Sequence, residues 1–279
     1  MFGKLILIEL YKIFRKWRTY IGFIAIGVLL PIILTALYYE GSNYINFSMR
    51  ALKGSFLVVG NLLNGYLVGY LILQALIIHI PFLIVLVGGD LMAGEATAGT
   101  YRMLAIRPVS RFKILTAKYL SGIMYIGILL LFLAFMSIGV GSIIFGTGEL
   151  LVYSNKIYIF PASDVIWRFI LSYIFAMLSM STVFGLSFLF SSIVENAIGP
   201  IVATMALIII FIILSALPIE SLAWIKPFLF TNHMNGWMTF FADPVDWSEI
   251  TESALVLGAH SVGLYLVSLI LFLKKDILS

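Results

Sequence analysis

His79, His233 and His260 are the histidines of this chain, and each sits in a different chemical setting. His260 lies in Ala259-His260-Ser261, and Gly185-Leu186-Ser187 offers a second serine. A serine hydroxyl with an imidazole base in reach is a nucleophile pair. Gly-x-Ser is common by chance, however, and small polar residues also pack membrane helices. His233, Met234 and Met238 are soft donors of the kind that hold copper. Their spacing does not gather all three on one helix face, and methionine beside aromatics is adaptable packing. His79 shares an apolar run with Gln74 and Pro81. Ionisable groups in such runs are costly and often functional, which makes Gln74 and His79 candidate pathway residues. The simpler reading of His79 is a neutral imidazole bonded to a carbonyl that Pro81 leaves without its N–H. With no cysteine, disulfides and thiolate metal sites are excluded.

Charge chemistry is concentrated elsewhere. Between Gly89 and Lys118 lie Asp90, Glu95, Arg102, Arg107, Arg111, Lys113 and Lys118, seven of the thirty charged residues in the chain. The flanking runs are apolar, so a loop this polar is more than a connector. Gly89 and Gly94 let the chain leave the membrane, Met92–Met103 can form a short surface helix, and Gly99 weakens or ends it. Pro108 stops any continuation. Arg111, Lys113 and Lys118 then stand at the mouth of the next span, where they meet anionic lipid.

The elements that must position these residues are membrane helices. The 279 residues are 62% apolar and 11% charged, with a mean hydropathy of +1.11; soluble domains carry about 25% charged residues. Six apolar runs are long enough to cross a bilayer core, which takes roughly 20 residues: Tyr20–Tyr38, Gly65–Gly88, Ile114–Ile138, Val165–Phe190, Ala197–Leu217 and Ser253–Leu273. Barrel strands would be about 10 residues long and alternate in polarity. The fold class is therefore all-α, a polytopic membrane protein forming one transmembrane domain over residues 1–279. No repeat or inverted half-repeat is evident.

Lysine and arginine set the orientation. With six spans both ends of the chain share a side, and that side carries twelve of the seventeen basic residues, while eight of the thirteen acids fall on the other. Both termini are expected in the cytoplasm. The first span, basic at its start and without a small-residue cleavage site, reads as a retained helix. Ahead of it, residues 1–18 place Phe2, Leu5, Ile6, Leu10, Ile13, Phe14 and Trp17 at helical spacing opposite Lys4, Lys12, Arg15, Lys16 and Arg18. This is the pattern of an amphipathic helix in the membrane interface. Residues 218–252 are divided by Pro218, Pro227 and Pro244 and are rich in aromatics, including Trp224, Phe228 and Trp237. They read as short helices that re-enter the outer leaflet and close the external side.

The loop resembles the first cytoplasmic loop of type-2 ABC transporter permeases. The resemblance rests on Glu95, on Gly99-Thr100, on Pro108-Val109-Ser110-Arg111 and on Lys118. One departure is Ala96, where many relatives carry arginine. The resemblance implies that residues 89–113 form the coupling loop, with Glu95, Gly99, Thr100, Arg102, Pro108 and Arg111 as the ATPase-coupling residues. It also implies a connecting helix at the N-terminus, a re-entrant external element, and a route lined by spans two and five. No G-x-x-x-x-G-K-[ST] phosphate loop occurs. The ATPase is then a separate subunit, in two copies, and ATP and magnesium belong to it, leaving no cofactor and no resident metal in this chain. A second permease copy or a related permease would complete the assembly in a bacterial cytoplasmic membrane.

The function expected is a permease subunit, an exporter of a lipid-like or amphipathic substrate, with no catalysis of its own and no nucleic acid partner. Two alternatives differ in class. An ion- or proton-coupled secondary transporter would carry acids or lysines inside its spans, where Arg168 near an outer end is the exception. A rhomboid-like intramembrane serine protease would use Ser187 and His260, yet Phe188 stands where that family has glycine.

Overall fold

The computed structural model describes residues 2–48, 62–99, 109–154 and 156–275. Helix α1 (Phe2–Phe14) turns at Arg15–Lys16 into α2 (Trp17–Ser48). The next apolar run is broken into α3 (Gly65–Leu76) and α4 (Ile80–Gly88), and α4 leads straight into the short polar helix α5 (Asp90–Thr97). Helix α6 (Arg111–Ala134) runs through a π-helical turn, Phe135–Gly139, into α7 (Val140–Phe145). An antiparallel hairpin follows, β1 (Leu150–Ser154) with β2 (Lys156–Phe160), in register Leu150 opposite Phe160. The remaining helices are α8 (Ala162–Ile193), α9 (Ile198–Ala216), the single turn α10 (Phe230–His233) and α11 (Trp247–Lys274).

Among the described residues six helices are long and apolar enough to cross a membrane. Five match the expected spans. The second differs: the run expected over Gly65–Gly88 bends in its middle, because Pro81 has no N–H to give to the preceding turn. Its continuous apolar stretch is Ile80–Thr97, with Gly65–Leu76 as a shorter piece before the bend. The β1–β2 hairpin adds a small sheet to an otherwise helical body.

Helix α8 is the hub. Two thirds of its apolar window, 67%, is buried, against 17% for α9 and for α11. Lipid is as apolar as leucine, so burial there comes from close packing and polar contacts rather than from water exclusion. Gly122 of α6 illustrates the packing: a Cβ on it would lie 2.0 Å from the Phe184 ring of α8. Hydroxyls of α8 supply the contacts. Ser187 donates to the Val85 carbonyl of α4 at 3.2 Å, and Thr182 to the Leu257 carbonyl of α11 at 3.0 Å.

The two ends of the bundle differ in chemistry. At one end α1, α5, the start of α6, the α8–α9 turn and the end of α11 meet: Thr97 Oγ1 donates to the Glu195 carbonyl at 2.8 Å, and Arg111 Nη1 to the Lys275 carbonyl at 2.8 Å. At the other end Asn64 caps α3 through Tyr66 N and Leu67 N, and its amide donates to the Glu149 carbonyl at 2.7 Å. There residues 220–241 form short turns, Glu220–Leu222, Lys226–Phe228, α10 and a 3-10 helix at Met234–Phe241. Phe241 packs edge-on against Tyr70 at 5.0 Å and Phe169 at 5.1 Å.

Candidate functional site

The most unusual chemistry lies where α1, α5 and α6 meet. Leu5, Glu9 and Ile13 recur at four-residue spacing, so Glu9 falls on the inward stripe of α1. Its carboxylate is 2% exposed and accepts from Lys118 Nζ of α6 at 2.7 Å and from Lys12 Nζ at 2.7 Å. Glu95 of α5 accepts from the same two cations on Oε1, Lys118 at 2.7 Å and Lys12 at 3.1 Å. Lys118 is 1% exposed, two turns inside α6, and two carboxylates face it there, the pairing that a buried ammonium requires. Burial pulls the Lys12 ammonium toward its neutral form, but the Glu9 hydrogen bond and the Glu95 and Glu9 charges outweigh that and raise its pKa above the ordinary lysine value.

A second set sits one turn back along α5. Asp90 takes Lys16 at 2.8 Å on Oδ2 and Arg18 at 2.9 Å on Oδ1. The carboxylate fits because residue 94 is glycine: a Cβ there would lie 2.4 Å from Asp90 Oδ1. Helix α5 is also held from α8. Ser191 Oγ donates to the Gly89 carbonyl at 2.7 Å and accepts from Met92 N at 3.1 Å and Ala93 N at 2.9 Å, satisfying N–H groups that a helix start leaves open. The helix ends as its sequence requires. Ala98 N and Gly99 N bond back to Gly94 and Ala96, and Gly99 takes φ of 68°, which glycine adopts at no cost.

The expected site residues are distributed as follows. Glu95 points inward onto Lys118 and Lys12, while Thr97, Ala98 and Gly99 at the tip of α5 are exposed. Arg111 binds the Leu273 and Lys275 carbonyls. Thr100, Arg102 and Pro108 lie outside the described residues. Gln74 and His79 are exposed together at the bend between α3 and α4. His79 N tightens onto the Leu76 carbonyl, and the ring Nδ1 lies 2.8 Å from the Ala75 carbonyl. The expected carbonyl contact is present, but at Ala75, which the tightened turn deprives of its helical N–H, rather than at Ile77 four residues before Pro81. Beside this bend, Ile78, Pro81, Ile208, Ser215, Thr231 and Asn235 line a cavity of about 290 Å³ that reaches α9.

Trp237 is fully buried, whereas Trp224 and Phe228 are 70% and 69% exposed, so these three do not form one cluster. The 218–252 region is anchored by Arg168, an arginine whose anchoring role the sequence does not reveal. It is 5% exposed, pairs with Asp164 at 2.8 Å and donates to the Phe240 and Ala242 carbonyls at 2.6 and 2.9 Å. Phe160 and Trp167 rings cover its guanidinium. Ser187 and His260 each bond a backbone carbonyl, Val85 and Val256, rather than each other. Both nitrogens of His233 are engaged, by Ser253 and the Pro227 carbonyl. Among the described residues no group of three His, Asp or Glu side chains is arranged to hold a metal.

Six apolar helices and a charged latch at one end define a polytopic α-helical membrane protein. Residues 20–278 match the family model described as "Protein of unknown function (DUF2705)", and the chain belongs to that family. It is similar to the uncharacterized protein YhcI of Bacillus subtilis (strain 168), 27% identical over 203 residues, which cover 69% of this chain and 63% of that relative. The match thus spans less than two thirds of the relative's length.

Proposed function

We propose that this chain is the membrane-spanning subunit of an ATP-driven transporter of the type-2 ABC kind, an exporter whose ATPase is a separate chain. It acts in the bacterial cytoplasmic membrane, paired with a second permease and two ATPase copies, with both termini in the cytoplasm. ATP hydrolysis belongs to the partner.

The observation that carries this reading is the bracing of α5. A helix that receives a stroke must not absorb it. This one is tied to α1 and α6 through Glu95, to the α1–α2 junction through Asp90, to α8 through Ser191 and to the α8–α9 turn through Thr97. Among the described residues of this loop, the exposed tip Thr97–Gly99 is free to touch another chain. Glu95 then acts as an internal strut that passes motion to the spans. The cavity beside the α3–α4 bend supports an uncharged amphiphile as cargo: its walls are apolar with hydroxyls and amides from Ser215, Thr231, Asn232 and Asn235, and none of its lining residues is charged.

The test is co-purification from membranes with an ATP-hydrolysing chain. Ala98→Arg at the tip should dissociate that chain. Glu95→Gln should keep it bound while substrate-stimulated hydrolysis falls about tenfold, the worth of roughly 1.4 kcal/mol of coupling. If no ATPase co-purifies, or if both variants couple normally, the reading fails.

A further inference from the structure

We propose that the cavity between α1, α5 and α6 is a binding site for the phosphate headgroup of one anionic phospholipid. This goes beyond the transport reading and does not depend on it. The cavity measures about 370 Å³. Its wall carries Lys12, Arg15, Lys16, Arg18 and Lys118 against Glu9, Asp90 and Glu95. Five cations less three acids leave a charge of +2 in a partly enclosed space, which calls for an anion.

The cations are held in place. Asp90 fixes Lys16 and Arg18, and Glu95 fixes Lys12 with Lys118, so donors line the cavity before any ligand arrives. They also have capacity to spare. Arg18 uses Nη1 on Asp90, and a guanidinium has five N–H donors. Arg15 makes no ion pair among the described residues and lies 5.9 Å over the Tyr11 ring. A phosphate offers the oxygens such forks bind best.

The choice between a soluble phosphate and a lipid follows from what surrounds these cations. Helix α1 exposes Leu7 at 60% and Tyr11 at 64%, and the start of α2 exposes Trp17 at 72%, with Ile8 and Tyr20 beside them. That apolar surface suits acyl chains, and Trp and Tyr concentrate at the level of the headgroups. A lipid phosphate therefore reaches the cavity from the bilayer, its chains against α1 and the start of α2. A headgroup with two phosphates matches the charge of +2 better than one with a single phosphate.

The test uses the full-length chain, delipidated in non-ionic detergent, with its melting temperature followed as ligand is added. A ligand that binds only the folded chain raises that temperature. On the unaltered chain, cardiolipin should act at the lowest concentration and phosphatidylglycerol next, with phosphatidylcholine and glycerol 3-phosphate inert. Arg15→Gln should weaken the response to phosphatidylglycerol about fivefold, the worth of one cation near an anionic surface. Arg15→Gln combined with Arg18→Gln should weaken it about thirtyfold. Arg15 holds no ion pair among the described residues, so the unliganded melting temperature of the single variant should match the parent. Equal stabilisation by phosphatidylcholine, an equal effect of glycerol 3-phosphate, or unchanged affinity in both variants overturns the proposal.

Discussion

Glu9 and Lys118 lie 109 residues apart and meet at 2.7 Å, with side-chain exposures of 2% and 1%. Each charge is out of water, and each is tolerated because the other is there. The pair joins α1 to α6, and Glu95 completes it from α5. Position in the sequence does not suggest the meeting; the four-residue spacing Leu5, Glu9, Ile13 does, since it turns an acid inward.

Removing both charges should cost less than the sum of the two single removals. Lys118→Met leaves Glu9 and Glu95 sharing Lys12 and should destabilise by about 3–5 kcal/mol. Glu9→Gln leaves Lys118 with Glu95 and should cost less. Lys118→Met combined with Glu9→Gln should be milder than the sum by about 1 kcal/mol or more, as expected of groups in one network. Thermal melts in detergent decide it; strictly additive losses would mean the two residues do not interact.

Gly94→Ala should act through Asp90. The added methyl would stand 2.4 Å from Oδ1, so the carboxylate must leave Lys16 and Arg18. Overpacking of this kind costs about 1–3 kcal/mol. The loss should shrink in an Asp90→Asn background, where the ionic contacts are already weakened. If the cost is the same in both backgrounds, the glycine is there for another reason.

Most of the bundle was legible. Length and polarity mark five spans, because a bilayer demands long uninterrupted apolar helices; two of the five begin or end six or seven residues beyond the expected bounds. The helix expected over Met92–Met103, weakened or ended at Gly99, is Asp90–Thr97 among the described residues, and Gly99 follows it at a positive φ that favours glycine. Other features depend on tertiary partners. Pro81 marked a weak point, but only the fold decides that the turn tightens at His79 and frees Ala75. The hairpin has a β signal, Val152 and Tyr153 before and Ile157, Tyr158 and Ile159 after Asn155, which is easily taken for loop at this length. The family resemblance marks Glu95 as a coupling residue but says nothing of Lys12 and Lys118, which folding brings to it from α1 and α6.

Sidedness can be tested directly, because the chain has no cysteine of its own. Thr97 is exposed at the charged end, and Tyr153 is 66% exposed on the hairpin. In intact cells Thr97→Cys should resist an impermeant thiol reagent until the membrane is opened, and Tyr153→Cys should react at once. The reverse pattern would place the termini outside.

Arg168 should govern whether residues 218–246 stay folded against the bundle. It supplies three things together: donors for the Phe240 and Ala242 carbonyls, a partner for Asp164, and a flat face between Phe160 and Trp167. A lysine keeps the charge but has neither the fork nor the plane, so it cannot reach both carbonyls and stack at once. Arg168→Met removes the charge and leaves the buried Phe240 carbonyl and the half-buried Ala242 carbonyl with one donor fewer each, at about 1–3 kcal/mol for a buried group left unsatisfied. Both variants should lower the melting temperature, methionine more than lysine. Protease added to the outside of intact cells should cut between Pro218 and Pro244 faster in the same order, while the six spans remain protected. Equal resistance in parent, lysine and methionine forms would show that the aromatic packing of Trp237, Phe240 and Phe241 holds the element without the arginine.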